Sequence, residues 1–324
     1  MSSTLILLSF LVYTLLIFSI SRLTVRKANN ESYFLGNRNS PWYVVAYGMI
    51  GASLSGVTFM SVPGLVQTEG FSYMVLVFGY LAGYFVIALV LLPMYYKLNL
   101  TSIYTYLEKR FGFSSYKTGA FYFIISRLIG ASFRMFLVVN VLQLFVFDHW
   151  GIPFGVTVGL FMILILLYTF QGGIKTIVWT DTLQTTFMIS AVIITIFIVA
   201  NTLGMGFSDL WSEASSKGYT RMMITDVTDQ RFFLKQFFAG MFITIVMTGL
   251  DQDMMQKNLS CRNLRDAQKN MFSFGFILIP VNFMFLFLGA VLWIYAGKFD
   301  VSLAQTSDDL FPTVALQYLS IEAG

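Results

Sequence analysis

Eight apolar runs dominate this chain, lying near residues 3–23, 42–66, 72–96, 118–147, 153–170, 177–203, 232–255 and 271–296. A helix that crosses hydrocarbon needs about 20 residues. It must also satisfy its own backbone N–H and C=O groups, because no water is there to do so. The runs therefore predict an all-α polytopic membrane protein with about eight transmembrane helices in a lipid bilayer. Composition agrees: 57% of the 324 residues are hydrophobic and 11% are charged, where a soluble domain carries about 25% charged. Nothing between Ser19 and Arg26 reads as a cleavage site. The first run is thus taken as a retained helix rather than a signal peptide.

Charge sets orientation. Loops 22–40, 97–117, 171–176 and 256–269 hold thirteen of the 20 Lys and Arg, and the alternate loops hold four together with most of the acids. By the positive-inside rule the first set is cytoplasmic, which puts the N-terminus outside in a multi-pass plasma-membrane protein. The net charge of +4 is spread over loops with no basic stripe or stacking platform, which argues against nucleic acid as a partner. One cysteine, Cys261, and one histidine leave no internal disulfide and no His/Cys zinc site. No paired carboxylates lie inside the apolar runs, so the chain is read as no enzyme.

Residues 41–70, PWYVVAYGMIGASLSGVTFMSVPGLVQTEG, interrupt the apolar pattern with Gly51, Ser53, Ser55, Gly56 and Pro63-Gly64. Gly and Pro weaken a helix at mid-depth, and a broken helix is tolerated where it lines a cavity. Freed carbonyls there suit a cation and half-helix ends suit a substrate. The alternative is a small-residue contact between helices. Run 232–255 holds Thr244, Thr248 and Gly249 before Asp251, Gln252 and Asp253. Two interrupted helices of opposite direction are the pattern of an inverted repeat. Loop 97–117 reads as a short interfacial helix, 204–231 as an outer surface loop, and 297–324 as a polar tail. The chain end looks like that of a fragment.

Four positions, Gly51, Leu54, Ser55 and Thr58, fall on one helical face; their hydroxyls and carbonyls suit a hard cation such as sodium, or alternatively bonds between helices. Arg127 and Arg134 lie inside FYFIISRLIGASFRMFLVVNVLQLF. A guanidinium at mid-membrane costs about 2.5–3.5 kcal/mol on insertion scales. Arg127 sits near the cytoplasmic end, within reach of local carbonyls. Arg134 is deeper, has no acid on its own helix, and needs a carboxylate from another helix or from a ligand. Asp181 follows QGGIKTIVWT and reads as a helix-start acid or as part of a cation pathway.

The runs YFLGNRNSPWYVVAYGMIGASLSGVTFMSVPG, TSIYTYLEKRFG, YTFQGGIKTIVWTDTLQ and LDQDMMQKNLSCRNLRDAQKN together resemble the sodium:solute symporter family. The resemblance implies a LeuT-type inverted-repeat fold in a single transmembrane domain over 1–324. An extra N-terminal helix and loop would occupy 1–40, the first repeat 41–205, and an outer loop with an incomplete second repeat 206–324. It implies a sodium ion held by Gly51 and Leu54 carbonyls, with Asp181 tied to the ion pathway. Ser53, Ser55 and Thr58 would face a small-molecule substrate. Within the family, SLSGVTFMSVPG and Arg134 most resemble bacterial sialic acid transporters, where an arginine meets the substrate carboxylate. A polar contact usual near position 77 is replaced by Val77, which leaves Tyr73 as the candidate there.

The resulting expectation is a sodium-coupled symporter importing a carboxylated sugar such as sialic acid by alternating access. The alternatives are a neutral sugar or polyol symporter and the membrane sensor part of a signalling protein.

Overall fold

A computed structural model describes residues 3–24, 38–54, 56–100, 102–169, 173–303 and 306–319. All eight apolar runs form helices over their described residues, two of them interrupted. In chain order the helices are α1 (Ser3–Thr24), α2 (Trp42–Ser53), α3 (Gly56–Glu69), α4 (Tyr73–Lys97), α5 (Ile103–Phe111), α6 (Phe113–Leu142) and α7 (Phe154–Thr169). They continue as α8 (Gly173–Leu203), α9 (Phe207–Ser216), α10 (Phe233–Gly249), α11 (Gln252–Leu259), α12 (Leu264–Lys298) and α13 (Leu310–Thr313). No strand forms among the described residues. Four helices (α4, α6 with its extension to Trp150, α8 and α12) are long and apolar enough to cross a membrane, and up to six spans result if each bent pair counts as one. Over their described residues α1 and α7 are apolar but shorter.

The bundle is built around α12, which packs on α2, α3, α4 and α8. Its Phe274, Phe285, Leu286 and Leu288 are fully buried. Against lipid, apolar contact alone gives little preference for another helix, so close backbone approach carries the packing. Such an approach joins α4 and α10. A Cβ at Gly79 would collide with the Phe237 carbonyl, and one at Gly240 with the Leu76 carbonyl. Backbone cannot swing aside as a side chain can. Gly240→Leu is therefore expected to destabilise the fold by about 1–3 kcal/mol or more through overpacking. Thermal melting of detergent-solubilised protein reads this directly, and an unchanged midpoint would show that the two helices can part freely.

Both interrupted helices are present. α2 ends at Ser53, Leu54 is extended (φ −85°, ψ 93°) with its N–H bonded to Ile50 O, and the chain turns by 60° into α3. Gly51, at the start of the predicted break, stays helical. Its bare Cα serves a close approach to α8, where a Cβ would strike Thr185 Oγ1. The second bend, 67°, separates α10 from α11 after a π-helical turn over Ile245–Gly249. Partners meet the groups freed there, as burial requires. Tyr95 donates its hydroxyl to Gly249 O at 3.3 Å, and the Asp251 carboxylate caps α11 by accepting the Met254 N–H at 3.1 Å.

Three connections add detail. α5 forms where a short helix is expected, capped by Ser102 and stopped by Gly112 at φ 88°, a left-handed conformation that glycine tolerates. The loop 204–231 is more ordered than its mixed charge suggests: it contains α9, whose Trp211 packs on Phe71, Phe283 and Phe287. The tail is likewise not simply polar. Leu310 and Val314 are buried in a helical stretch, and Phe311 meets Phe59 edge-on at 4.5 Å. Cys261 is fully buried, which pushes its thiol up to about 12.

Candidate functional site

The break between α2 and α3 opens onto a cavity of about 220 Å³. It is smaller than the roughly 300 Å³ at which drug-sized pockets begin. Ser53, Leu54 and Thr58 line it from the broken helix, Tyr73 from α4 and Arg134 from α6. Five residues predicted from separate parts of the chain thus meet at one place. Ser55 lies outside the described residues. Gly51 sits one turn earlier, against α8 rather than on the cavity wall. A larger cavity of about 590 Å³ between α1, α6, α7 and the tail has no charged residue in its wall among the described residues and offers little to orient a polar solute.

Tyr80 and Tyr84, which follow Tyr73 along α4, are wall residues that escaped the sequence reading. Thr244 and Thr248, read from the sequence as marks of the second interruption, come to the same wall from α10. Positions 73, 80 and 84 recur at helical spacing, so a polar stripe on an otherwise apolar run was the available signal. The Tyr73 and Tyr80 hydroxyls are 3.4 Å apart. The Tyr84 hydroxyl lies beside the side chains of Ser53, Thr244 and Thr248, which joins the two interrupted helices through one polar cluster. Val77 is buried and absent from the wall.

The two intramembrane arginines have different partners. Arg127 forms an ion pair with Asp251, the residue that caps α11, and lies over the Phe123 ring. The expectation that local carbonyls would satisfy Arg127 is corrected by this pairing across helices. Arg134 makes one weaker contact, Nε donating to Gly130 O at 3.1 Å. Among the described residues no carboxylate is within ion-pair distance of Arg134. Its guanidinium has five N–H donors, of which one is engaged by the Gly130 carbonyl, and the residue lines the cavity.

Asp181 lies in a second cavity of about 280 Å³, adjoining the first through Ala52 and Asp253, which line both. Lys257 of α11 donates to the Asp181 carboxylate at 2.7 Å, with the Asp253 carboxylate 3.9 Å away. Lys257 is only 3% exposed and Asp181 13%. The acid of α8 is therefore neutralised by a tethered ammonium. Sequence reading missed Lys257 because it sits in a polar segment where a loop cation is ordinary.

The residues expected to hold a cation fit that chemistry. A helix end leaves its last carbonyls without intrahelical partners and concentrates partial negative charge. α2 ends this way at Ser53 and Leu54, with Leu54 only 4% exposed. Oxygen donors at a helix C-terminus, sheltered from water, suit a hard monovalent cation.

The sequence model of the sodium:solute symporter family matches residues 33–319. Sodium-coupled monocarboxylate transporter 2 of Danio rerio is 26% identical over 306 residues, covering 92% of this chain and 48% of that protein. A sodium/sialic acid symporter of Aliivibrio fischeri is 23% identical over 283 residues, covering 83% and 53%. The chain spans about half the length of the curated relatives it matches. A solved structure of a Na+-coupled sialic acid symporter in a substrate-bound outward-open state aligns with a TM-score of 0.84 at 20% identity, over 97% of this chain and 66% of that one.

Proposed function

The chain belongs to the sodium:solute symporter family, and on that premise we propose that it serves sodium-coupled import of a small carboxylated solute by alternating access. The observation that carries the charge assignment is Arg134. It reaches the cavity with no carboxylate partner among the described residues, while neighbouring Arg127 is already matched to Asp251. A planar guanidinium is the natural receptor for a carboxylate. Relatives named for monocarboxylates and for sialic acid support the same solute class. The hydroxyls of Thr58, Tyr73, Tyr80 and Tyr84 favour a sugar acid such as sialic acid over a plain short acid.

Sodium, in this reading, binds at the α2 terminus through carbonyls of Gly51 and Leu54, with Asp181 further along its path. Ion and solute then share one broken helix. Binding of each favours the same closed arrangement, so coupling is a differential affinity between outward- and inward-facing states. The protein works in the plasma membrane with its N-terminus outside.

The test is uptake by producing cells in sodium or choline medium. Sialic acid and related sugar acids should compete for uptake only while their carboxylate is free, so that the corresponding amide fails. Glucose, galactose and inositol form the neutral set. Sodium-driven uptake of a neutral sugar in preference to every acid would overturn the assignment.

A further inference from the structure

Asn282 is the one side chain carrying an amide, hydroxyl or charge between Ser273 and Trp293. It is 2% exposed, sits on the most buried of the four long spans, and lines the cavity that Arg134 reaches. A polar side chain on such a helix is expensive unless it has a task. One of its two N–H donors is accounted for: Nδ2 donates to Leu278 O, one turn back, at 2.7 Å. Its Oδ1 is buried and has no hydrogen-bond partner.

The direction of the amide is settled by chemistry. A carbonyl such as Leu278 O accepts from Nδ2 and cannot pair with Oδ1, so turning the amide over would lose the backbone bond and set two acceptors together. The free group is therefore an acceptor. Five buried side-chain oxygens lack partners among the described residues, on Ser72, Gln236, Asn270, Asn282 and Thr313. Only Asn282 among them belongs to the cavity wall. Leaving a buried acceptor unmatched is unfavourable, and a ligand donor would remove that cost.

We propose that Asn282 is a specificity residue that accepts a hydrogen bond from a hydroxyl or amide N–H of the transported carboxylate. This rests on the carboxylate reading above and adds a second requirement to it. Arg134 only donates and Asn282 Oδ1 only accepts. A solute matching both carries an acid group and, apart from it, a donor. Acids without such a donor would leave Oδ1 unpaired and bind less well, the asymmetry by which polar pockets reject analogues.

The experiment compares two ring acids of similar size on purified protein in sodium: glucuronate, which carries hydroxyls, and cyclohexanecarboxylate, which does not. Binding is read by ligand-induced thermal stabilisation. The parent should bind glucuronate about three- to tenfold more tightly, the range of a single hydrogen bond. Asn282→Leu should reduce that preference severalfold by weakening glucuronate alone, with cyclohexanecarboxylate affinity and the sodium concentration dependence unchanged. Leucine removes an unmatched polar group from apolar surroundings, so the variant should melt no lower than the parent. Asn282→Asp, which keeps an acceptor oxygen, should retain part of the preference. Equal weakening of both acids by Asn282→Leu, or a shifted sodium dependence with the preference intact, would overturn the assignment of Asn282. Binding of glucose but of neither acid would instead overturn the carboxylate reading, and this proposal with it.

Discussion

Replacing Arg134 with lysine is expected to lower uptake of a carboxylated solute by about ten- to a hundredfold, the worth of a charge-assisted hydrogen bond of about 1.5–3 kcal/mol. Lysine keeps the positive charge but loses the planar fork that grips both carboxylate oxygens. Initial uptake rates, normalised to the amount of protein in the membrane, measure it. The same substitution should leave the melting point nearly unchanged, because Arg134 is half-buried and its one hydrogen bond among the described residues is to the Gly130 carbonyl. Arg127→Lys is the control with the opposite profile. It disturbs the pair to Asp251 and hence the cap of α11, so stability should fall with uptake. Parental uptake by Arg134→Lys would remove the carboxylate from the site.

Lysine 257 carries the largest expected effect on stability. Lys257→Met leaves Asp181 buried without its ammonium, and breaking one side of a buried ion pair costs about 3–5 kcal/mol. Removing both charges together, in Asp181→Asn with Lys257→Met, should recover most of that loss because no uncompensated charge remains. Melting points of the two single variants and the double variant form the cycle. Additive losses would mean that the 2.7 Å contact contributes nothing to the fold. The single variants also separate two roles for Asp181. If sodium uses this carboxylate, Lys257→Met should be stabilised by sodium more than the parent is, since the ion can replace the ammonium. Asp181→Asn should then flatten the sodium dependence of uptake. Identical sodium curves in the parent and both variants would leave Asp181 as a partner for Lys257 alone.

Much of the cavity was legible in the chain. Ser53 and Thr58 stood out because hydroxyls are rare where only lipid must be met, and Arg134 because a guanidinium at that depth needs a reason. Tyr73 was reached by resemblance, and Tyr80 and Tyr84 were available by simple helical spacing. Asn282 was harder. An asparagine in a long apolar run is visible, but its significance depends on which of its amide atoms is already bonded, and that follows from the α12 backbone beneath it.

Hydropathy and local chemistry are properties of short stretches of chain. A helix in hydrocarbon satisfies its own backbone, so eight helical runs, their polar connections and the two Gly- or Thr-marked interruptions follow from residue order alone. Charge pairing is different in kind. Arg127 and Asp251, or Asp181 and Lys257, are far apart in sequence and meet only because α11 leaves its break at 67° and docks near α6 and α8. No periodicity encodes which cation takes which acid. Packing decides it, through close backbone contacts such as Gly79 with Phe237 and Gly240 with Leu76. In deciding it, packing also leaves Arg134 and Asn282 among the polar groups still to be matched, because a buried charge or acceptor is satisfied by whatever geometry brings near, whatever its place in the chain.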